Sequence, residues 1–344
     1  VQLRQMLIIH NRMKDIVETT ADYCGGSTTG GLALPAVPAC GSVLIPQPPV
    51  NFVHDSMPVV EATVLANLYG HVRDQALTFE PIEHKYCING VPTLGSVTGL
   101  IHDFSNDFDA DRVIPLMRNG RSWPRPGYVQ PASKLEEVIV RLTAVPGMSD
   151  VLQLLRSDPI DEASLCSLVI VLVRQNPHLA SIFELVSLTD DEIKAKREYN
   201  RIDAANQGTY MHLTFELYIN RYEIVYASDE LDIFQRYISS LQELTAYRTE
   251  WMIYGEDIRL AGSIDFVATR SNGDLVLFDW KRTKELHTKY SNRFQSMTGA
   301  LSHLADCAGM HYRVQLNVYR YILEKYYNKT VHSMFVVGCH PQYG

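Results

Sequence analysis

The sequence has no CxxC pair. Its six cysteines stand apart, at 24, 40, 87, 166, 307 and 339, which excludes a zinc ribbon or a thioredoxin-like redox site. That usage fits reduced thiols inside a cell. No apolar run approaches the ~18 residues of a membrane span, and no secretory signal is visible, so an intracellular chain without a membrane partner is expected. Positive charge is also short. The formal net charge is −8, which excludes a general cationic coat for duplex nucleic acid but leaves room for a local basic channel. A phosphate-binding GxxxxGK(S/T) motif, internal repeats and heptad runs are missing, so neither a motor nor a solenoid nor a coiled coil is encoded here. The chain begins at Val1 without a methionine and reads as a fragment of something longer.

What is present can bury a sizeable core without disulfides: 344 residues, the length of about two domains or one large one. Residues 1–23 carry helical spacing (Leu3, Met6, Leu7, Met13, Ile16, Val17) and predict an N-terminal helix. Residues 24–57 are rich in Gly and Pro and read as a flexible or extended linker. Residues 58–188 read as mainly helical, with a hairpin near 84–94 turning on Asn89-Gly90. Ser96 or Thr98 can cap the next helix, and Leu165, Leu168 and Leu172 mark ordinary core. From 189 to 344 the pattern changes. A long helix opens on the capping box Thr189 and Glu192 and runs to Tyr218; Ser228 caps another over 228–245. Strands are predicted at 249–254, 259–269 and 274–281, then a helix at 312–327 and a strand at 331–339. The helical crossover makes that last strand parallel to its neighbour. The fold class is therefore α/β, a mixed sheet flanked by helices behind a mainly helical N-terminal region.

The chemistry concentrates in Leu260 to Lys284. Ser271-Asn272-Gly273-Asp274 is a hairpin signal between two apolar runs. Each strand of the hairpin delivers an acid, Asp265 and Asp279, and Lys281 comes two residues after the second. Alternation puts Asp279 and Lys281 on one face. Two carboxylates meeting there repel each other unless a divalent cation with a taste for hard oxygen ligands lies between them. The plain alternative is a hairpin with three surface charges.

Other residues bear on that choice. Gly208, His212 and Glu216 are spaced by four and share a helix face, with Gly208 leaving room for close approach of another backbone. Alone, His212 is a structural histidine, Glu250 an edge-strand charge, Tyr319 core and Gln315 solvated. Together with the two acids, the imidazole completes a site for Mg²⁺ or Mn²⁺, and Mn²⁺ accepts nitrogen more readily. Glu216 and Glu250 are expected in supporting roles. After the lysine strand, Lys281, Arg282, Lys284, Lys289 and Arg293 face Glu285 alone, with His287, Tyr290 and Phe294 interleaved. Cations beside aromatic rings suit a strand of phosphates with stackable bases.

The series GTYMH, GSID, DWK and QLNVY resembles the RecB-type branch of the PD-(D/E)XK nuclease superfamily, whose pattern is G-x-x-x-H, G-x-x-D, (D/E)-x-K and Q-x-x-x-Y. The likeness covers about 189–340, and the region around Pro92 to Thr98 is also similar to mitochondrial genome-maintenance exonucleases. The resemblance implies a restriction-endonuclease-like αβββαβ core and a deoxyribonuclease that needs one or two Mg²⁺ or Mn²⁺ ions. It implies that Asp265, Asp279, the Trp280 carbonyl and His212 hold the metal, and that Asp265, Asp279 and Lys281 are catalytic. Gln315 and Tyr319 would position the lysine or the backbone of the substrate; Arg282, Lys284, Lys289 and Arg293 would contact phosphates. The substrate is expected to be DNA, single-stranded or with free ends. Some relatives carry four cysteines for an iron–sulfur cluster; Cys307 and Cys339 lack partners, so no cluster is expected. The alternatives are an endonuclease domain of a virus or mobile element, and a nucleic-acid-binding module that does not cleave.

Overall fold

A computed structural model describes residues 16–20, 31–34, 42–43, 63–81, 83–131, 135–156, 160–224, 228–284, 286 and 291–343. The chain is α/β: a mixed sheet flanked by helices, with a largely helical stretch before it. The sheet is built on the strand Leu260–Thr269, here the central strand. The outer strand, Thr245–Gly255, pairs with it antiparallel along its length. The lysine strand, Leu275–Lys281, pairs with it antiparallel, and Gly95–Ser96 pairs parallel at its start. The lysine strand in turn takes the final strand, Val331–Gly338, in parallel. Central and lysine strands are buried on both faces, which is why they read as nearly continuous apolar runs.

Alternate residues of the lysine strand feed two cores. Leu275 and Leu277 pack with the closing helix, Ala308–Tyr326, through Val314, Val318 and Ile322. Val276, Phe278 and Trp280 pack with Met211, Phe215 and Ile219 of the long helix, Asp190–Ile219, and with Phe234 and Ile238 of the helix Asp229–Ser240. The helix caps are those the sequence predicts. Thr189 and Glu192 form a reciprocal box, Ser228 Oγ accepts from the Leu231 N–H, and Ser96 Oγ accepts from the Gly99 N–H. The hairpin turn at Asn89-Gly90 has both residues at positive φ, as a type I′ turn requires.

Two compact units divide the chain: residues 1–106 with 204–344, and residues 107–203. The second is mainly helical and closes its own core on residues such as Leu142, Leu165, Val169 and Phe183. The first contains the whole sheet, including Gly95–Ser96 from before the helical unit.

The N-terminal segment differs from expectation. Ile16–Thr20 is a strand, not part of a helix, and pairs parallel with the final strand. Four of its five residues are β-branched, which favours a strand, and it covers an edge that would otherwise stay open. The rest of the predicted 1–23 helix lies outside the described residues. Part of the expected linker is also fixed: Leu32 and Ala33 donate backbone bonds to Ile238 and Leu244, and Gly31 passes so close to Ser239 that a Cβ would sit 2.9 Å from its carbonyl oxygen. The helix expected over 228–245 ends at Ser240, and the outer strand starts at Thr245. Among the described residues no helix is long and apolar enough to cross a membrane.

One buried side chain ties three elements of the first unit. Asn220, just past the long helix, is fully buried; it accepts from the Leu65 N–H at 3.0 Å and donates to Thr249 Oγ1 at 2.8 Å and to the Glu216 carbonyl at 2.9 Å. Asn220→Ala leaves the Leu65 amide unpaired in the core. We expect a loss of about 2–4 kcal/mol in urea denaturation. A loss under about 0.5 kcal/mol, the size of an ordinary surface change, would refute this role.

Candidate metal centre

The ladder between the central and lysine strands stops at Phe266 and Phe278. One position further stand Asp265 and Asp279. There the Asp265 carboxylate replaces the ladder: its Oδ2 accepts the Trp280 N–H at 2.7 Å. The Trp280 indole locks the strand from behind. It meets Phe215 and Phe234 edge-on and stacks with Phe266 and Phe278. With Trp280 committed to that core, alternation turns Asp279 and Lys281 to the other face, where Lys281 Nζ donates to Asp279 Oδ1 at 2.9 Å. The Asp279 side chain is only 2% exposed, and its Oδ2 has no hydrogen-bond partner. A buried carboxylate oxygen left so is costly unless something positive meets it.

The long helix brings His212 to the same place. Its Nε2 lies 3.1 Å from the Trp280 carbonyl, while Nδ1 lies 3.5 Å from Glu250 Oε1 and 3.7 Å from Asp265 Oδ2. With Nε2 donating to the carbonyl, Nδ1 is the nitrogen turned to the carboxylates. The Trp280 carbonyl, expected to be a metal ligand, accepts from His212 Nε2. Gly208 departs from expectation: a Cβ there would meet nothing within 4 Å, so no close approach requires the glycine.

Glu250 belongs to the centre itself. Its neighbours pair as Thr249 with Phe266 and Trp251 with Ile264, so it stands across from Asp265. Its φ is +40°, a left-handed value in mid-strand for a residue with a side chain, and such conformations cost on the order of 1–3 kcal/mol. Ser263 Oγ donates to its Oε2 at 2.9 Å. One ligand atom each from His212, Glu250 and Asp265 lie within 4.8 Å of one another. Ligands around a Mg²⁺ or Mn²⁺ ion with bonds of ~2.1 Å are separated by ~3–4 Å, so the spacing of these three donors is compatible with a hard divalent cation; Asp279 stands outside the trio.

The protons report the crowding. Burial lifts the Asp265 carboxyl to about 7, with His212 pulling it down and Asp279 pushing it up. Burial opposes charge on His212, but Asp265 and Glu250 outweigh it and raise the imidazole to about 9. Burial also opposes charge on Lys281, yet Asp279 and Asp265 hold it above its ordinary value, as an ammonium. Burial, then Glu250, raise Glu216 to about 8.

The remaining expected residues divide. Gln315 Nε2 donates to the Tyr319 hydroxyl at 3.0 Å, and Tyr319 is 3% exposed. The ring lies over Gly262, where a Cβ would come within 2.8 Å of Tyr319 Cε1. The glycine of GSID and the tyrosine of QLNVY are thus one packing unit. Tyr312, three residues before Gln315 and so on the same helix face, was not anticipated; its ring centroid is 5.0 Å from Lys281 Nζ. Arg282 is not a free cation: its Nε donates to Glu230 at 2.8 Å, with both side chains largely buried. Lys284 and Arg293 are exposed. Lys289 lies outside the described residues.

Compared with protein-family models, curated proteins and solved structures, the chain matches none.

Two outcomes are expected. Gly262→Ala overpacks Tyr319 and should cost about 1–3 kcal/mol. Tyr319→Leu should relieve part of that cost, so the double variant in a thermodynamic cycle is less destabilised than the sum of the singles; strict additivity would disprove the packing unit. The second concerns pH. Glu216 ionises near 4.5 when unfolded and near 8 when folded. Its contribution to stability is therefore full below about 4.5 and is lost as pH rises to about 8. In EDTA, Glu216→Gln should match wild type near pH 4 and exceed it by roughly 2–4 kcal/mol at pH 8.5. Parallel stability curves across that range would contradict it.

Proposed function

We propose that this chain is a metal-dependent nuclease of the PD-(D/E)XK superfamily, RecB-type branch, that hydrolyses phosphodiester bonds of DNA, single-stranded or with free ends. The observation that carries the reading is the buried Asp279–Lys281 pair beside Asp265 and His212, at the point where two strands part. The long helix, the outer, central and lysine strands, the closing helix and the final strand come in the order of a restriction-endonuclease-like αβββαβ core, with the helix Asp229–Ser240 inserted after the first. DNA as substrate rests on the motif resemblance.

In this reading Asp265, Asp279, Glu250 and His212 Nδ1 hold the ion. When bound, Mg²⁺ or Mn²⁺ supplies Lewis acidity toward the scissile phosphate and a more acidic water. Asp279 fixes the Lys281 ammonium at 2.9 Å, and that ammonium orients the attacking water and offsets negative charge as it develops on the phosphate. His212 is held by the Trp280 carbonyl so that Nδ1 points into the site. Glu216, neutral below about 8, adds no further negative charge at pH 7.

The test is cleavage of a linear and of a circular single strand, each with Mg²⁺, Mn²⁺ or EDTA. Cleavage of the linear strand alone marks an exonuclease; cleavage of both marks an endonuclease. Asp279→Asn and Lys281→Ala should each lower turnover at least about 100-fold while the chain still unfolds cooperatively. Activity within a few-fold of wild type in both variants, or activity that survives EDTA, would mean that the chemistry lies elsewhere.

A further inference from the structure

A small antiparallel sheet lies just before the Gly95–Ser96 strand. Leu77–Glu80 pairs with Lys85–Ile88, which pairs with Val91–Pro92. On one face Leu77 stands opposite Ile88 and Phe79 opposite Tyr86. Leu77 is buried in the core, with Tyr86 and Ile88 against it. Phe79 is half-buried, and His84, at the turn with a φ of +49°, is exposed. The Tyr86 and Phe79 ring centroids are 4.7 Å apart, and those of Phe79 and His84 are 5.8 Å apart. The three rings form a strip from the edge of the core to solvent.

The inner end of the strip packs on the core that the strands of the metal centre also bury. The chain leaving the small sheet pairs Gly95 with Leu260 and Ser96 with Ala261, on the strand that goes on to Asp265. Tyr86 packs against the same core as Trp251 and Ile264, the chain neighbours of Glu250 and Asp265. A cross-strand pair that served stability alone would be complete with Phe79 and Tyr86; a third ring, carried outward on an exposed turn, adds little to the core.

We propose that Tyr86, Phe79 and His84 form a stacking surface for the unpaired bases of a single strand whose backbone is held at the metal centre. This rests on the nuclease reading and narrows its substrate to unpaired strands or frayed ends. Bases stack on aromatic rings whatever their sequence, whereas in a duplex their faces are already covered by neighbouring bases. Placement of Phe79 and Tyr86 on paired strands makes that part of the surface rigid.

Binding separates this proposal from catalysis. In the Asp279→Asn chain with Mg²⁺, fluorescence anisotropy measures the affinity for an oligothymidylate of about twelve nucleotides and for an abasic strand of equal length. The parent should prefer the thymidylate. Phe79→Leu should weaken the thymidylate about tenfold, the order expected for loss of one stacked base, and leave the abasic strand within about twofold. Phe79→Trp should restore the preference. His84→Ala should weaken the thymidylate selectively as well. The proposal is overturned if the parent shows no preference for bases, if it binds neither strand, or if the Phe79 and His84 variants weaken both strands equally or neither. A preference that tracks these rings in a wild-type chain without nuclease activity would sink the catalytic reading and leave the stacking surface standing.

Discussion

The contact between the Asp265 carboxylate and the Trp280 amide decides most of what happens around it. A strand pair that continued its ladder would press Asp265 and Asp279 together with their charges side by side. By accepting the next amide itself, Asp265 ends the ladder and keeps that donor satisfied. The Trp280 carbonyl is taken by His212, so both polar groups of that residue are tied to side chains of the centre. The peptide plane before Trp280 is thereby aimed by the acid and the one after it by the imidazole, and the indole is held in its cage of phenylalanines.

Such a cluster of charges is expensive to fold. Three carboxylates, Asp265, Asp279 and Glu250, converge with two cationic side chains, Lys281 and His212. At short range and reduced dielectric, like charges cost several kcal/mol each, and the chain answers by holding protons: Asp265 is raised to about 7 and Glu216 to about 8. Glu250 adds a left-handed backbone in mid-strand, and Asp279 keeps one oxygen unpaired in the interior. These are local penalties gathered at one place, and the cores on either side of the lysine strand supply the burial that tolerates them. Strain of this kind, concentrated beside buried polar groups, accords with the binding centre proposed above.

The sheet and the acids were legible in the sequence because both rest on local signals: alternation, an Asn-Gly hairpin turn, caps at Thr189 and Ser228. What was not legible depends on distant partners. The cations after the lysine strand look free when counted along the chain, yet Arg282 is held by Glu230 from a helix some fifty residues earlier. Glu250 looks like an edge charge because its positive φ breaks the alternation that identifies a strand's inner face. Ile16–Thr20 carries a β-branched run inside a longer helical spacing, and an available sheet edge decided between them. Tyr312 did share a helix face with Gln315 and could have been found from that spacing alone.

Gly262 shows why the segment before the helical unit belongs to the site. A Cβ there would strike Tyr319 of the closing helix at 2.8 Å and Val97, just after the Gly95–Ser96 strand, at 3.1 Å. The central strand is therefore approached at one residue by a helix from the end of the chain and by a segment from its first third. Composition suggested that residues 58–188 form one region distinct from residues 189–344. The contacts instead group residues up to 106 with 204–344 and set 107–203 apart. Because Val97 closes on the same glycine as Tyr319, the small aromatic sheet ahead of it is tied to the central strand by the packing that also seats Tyr319. The helical unit enters the sequence between two parts of one sheet, and the sheet's own geometry holds those parts in register.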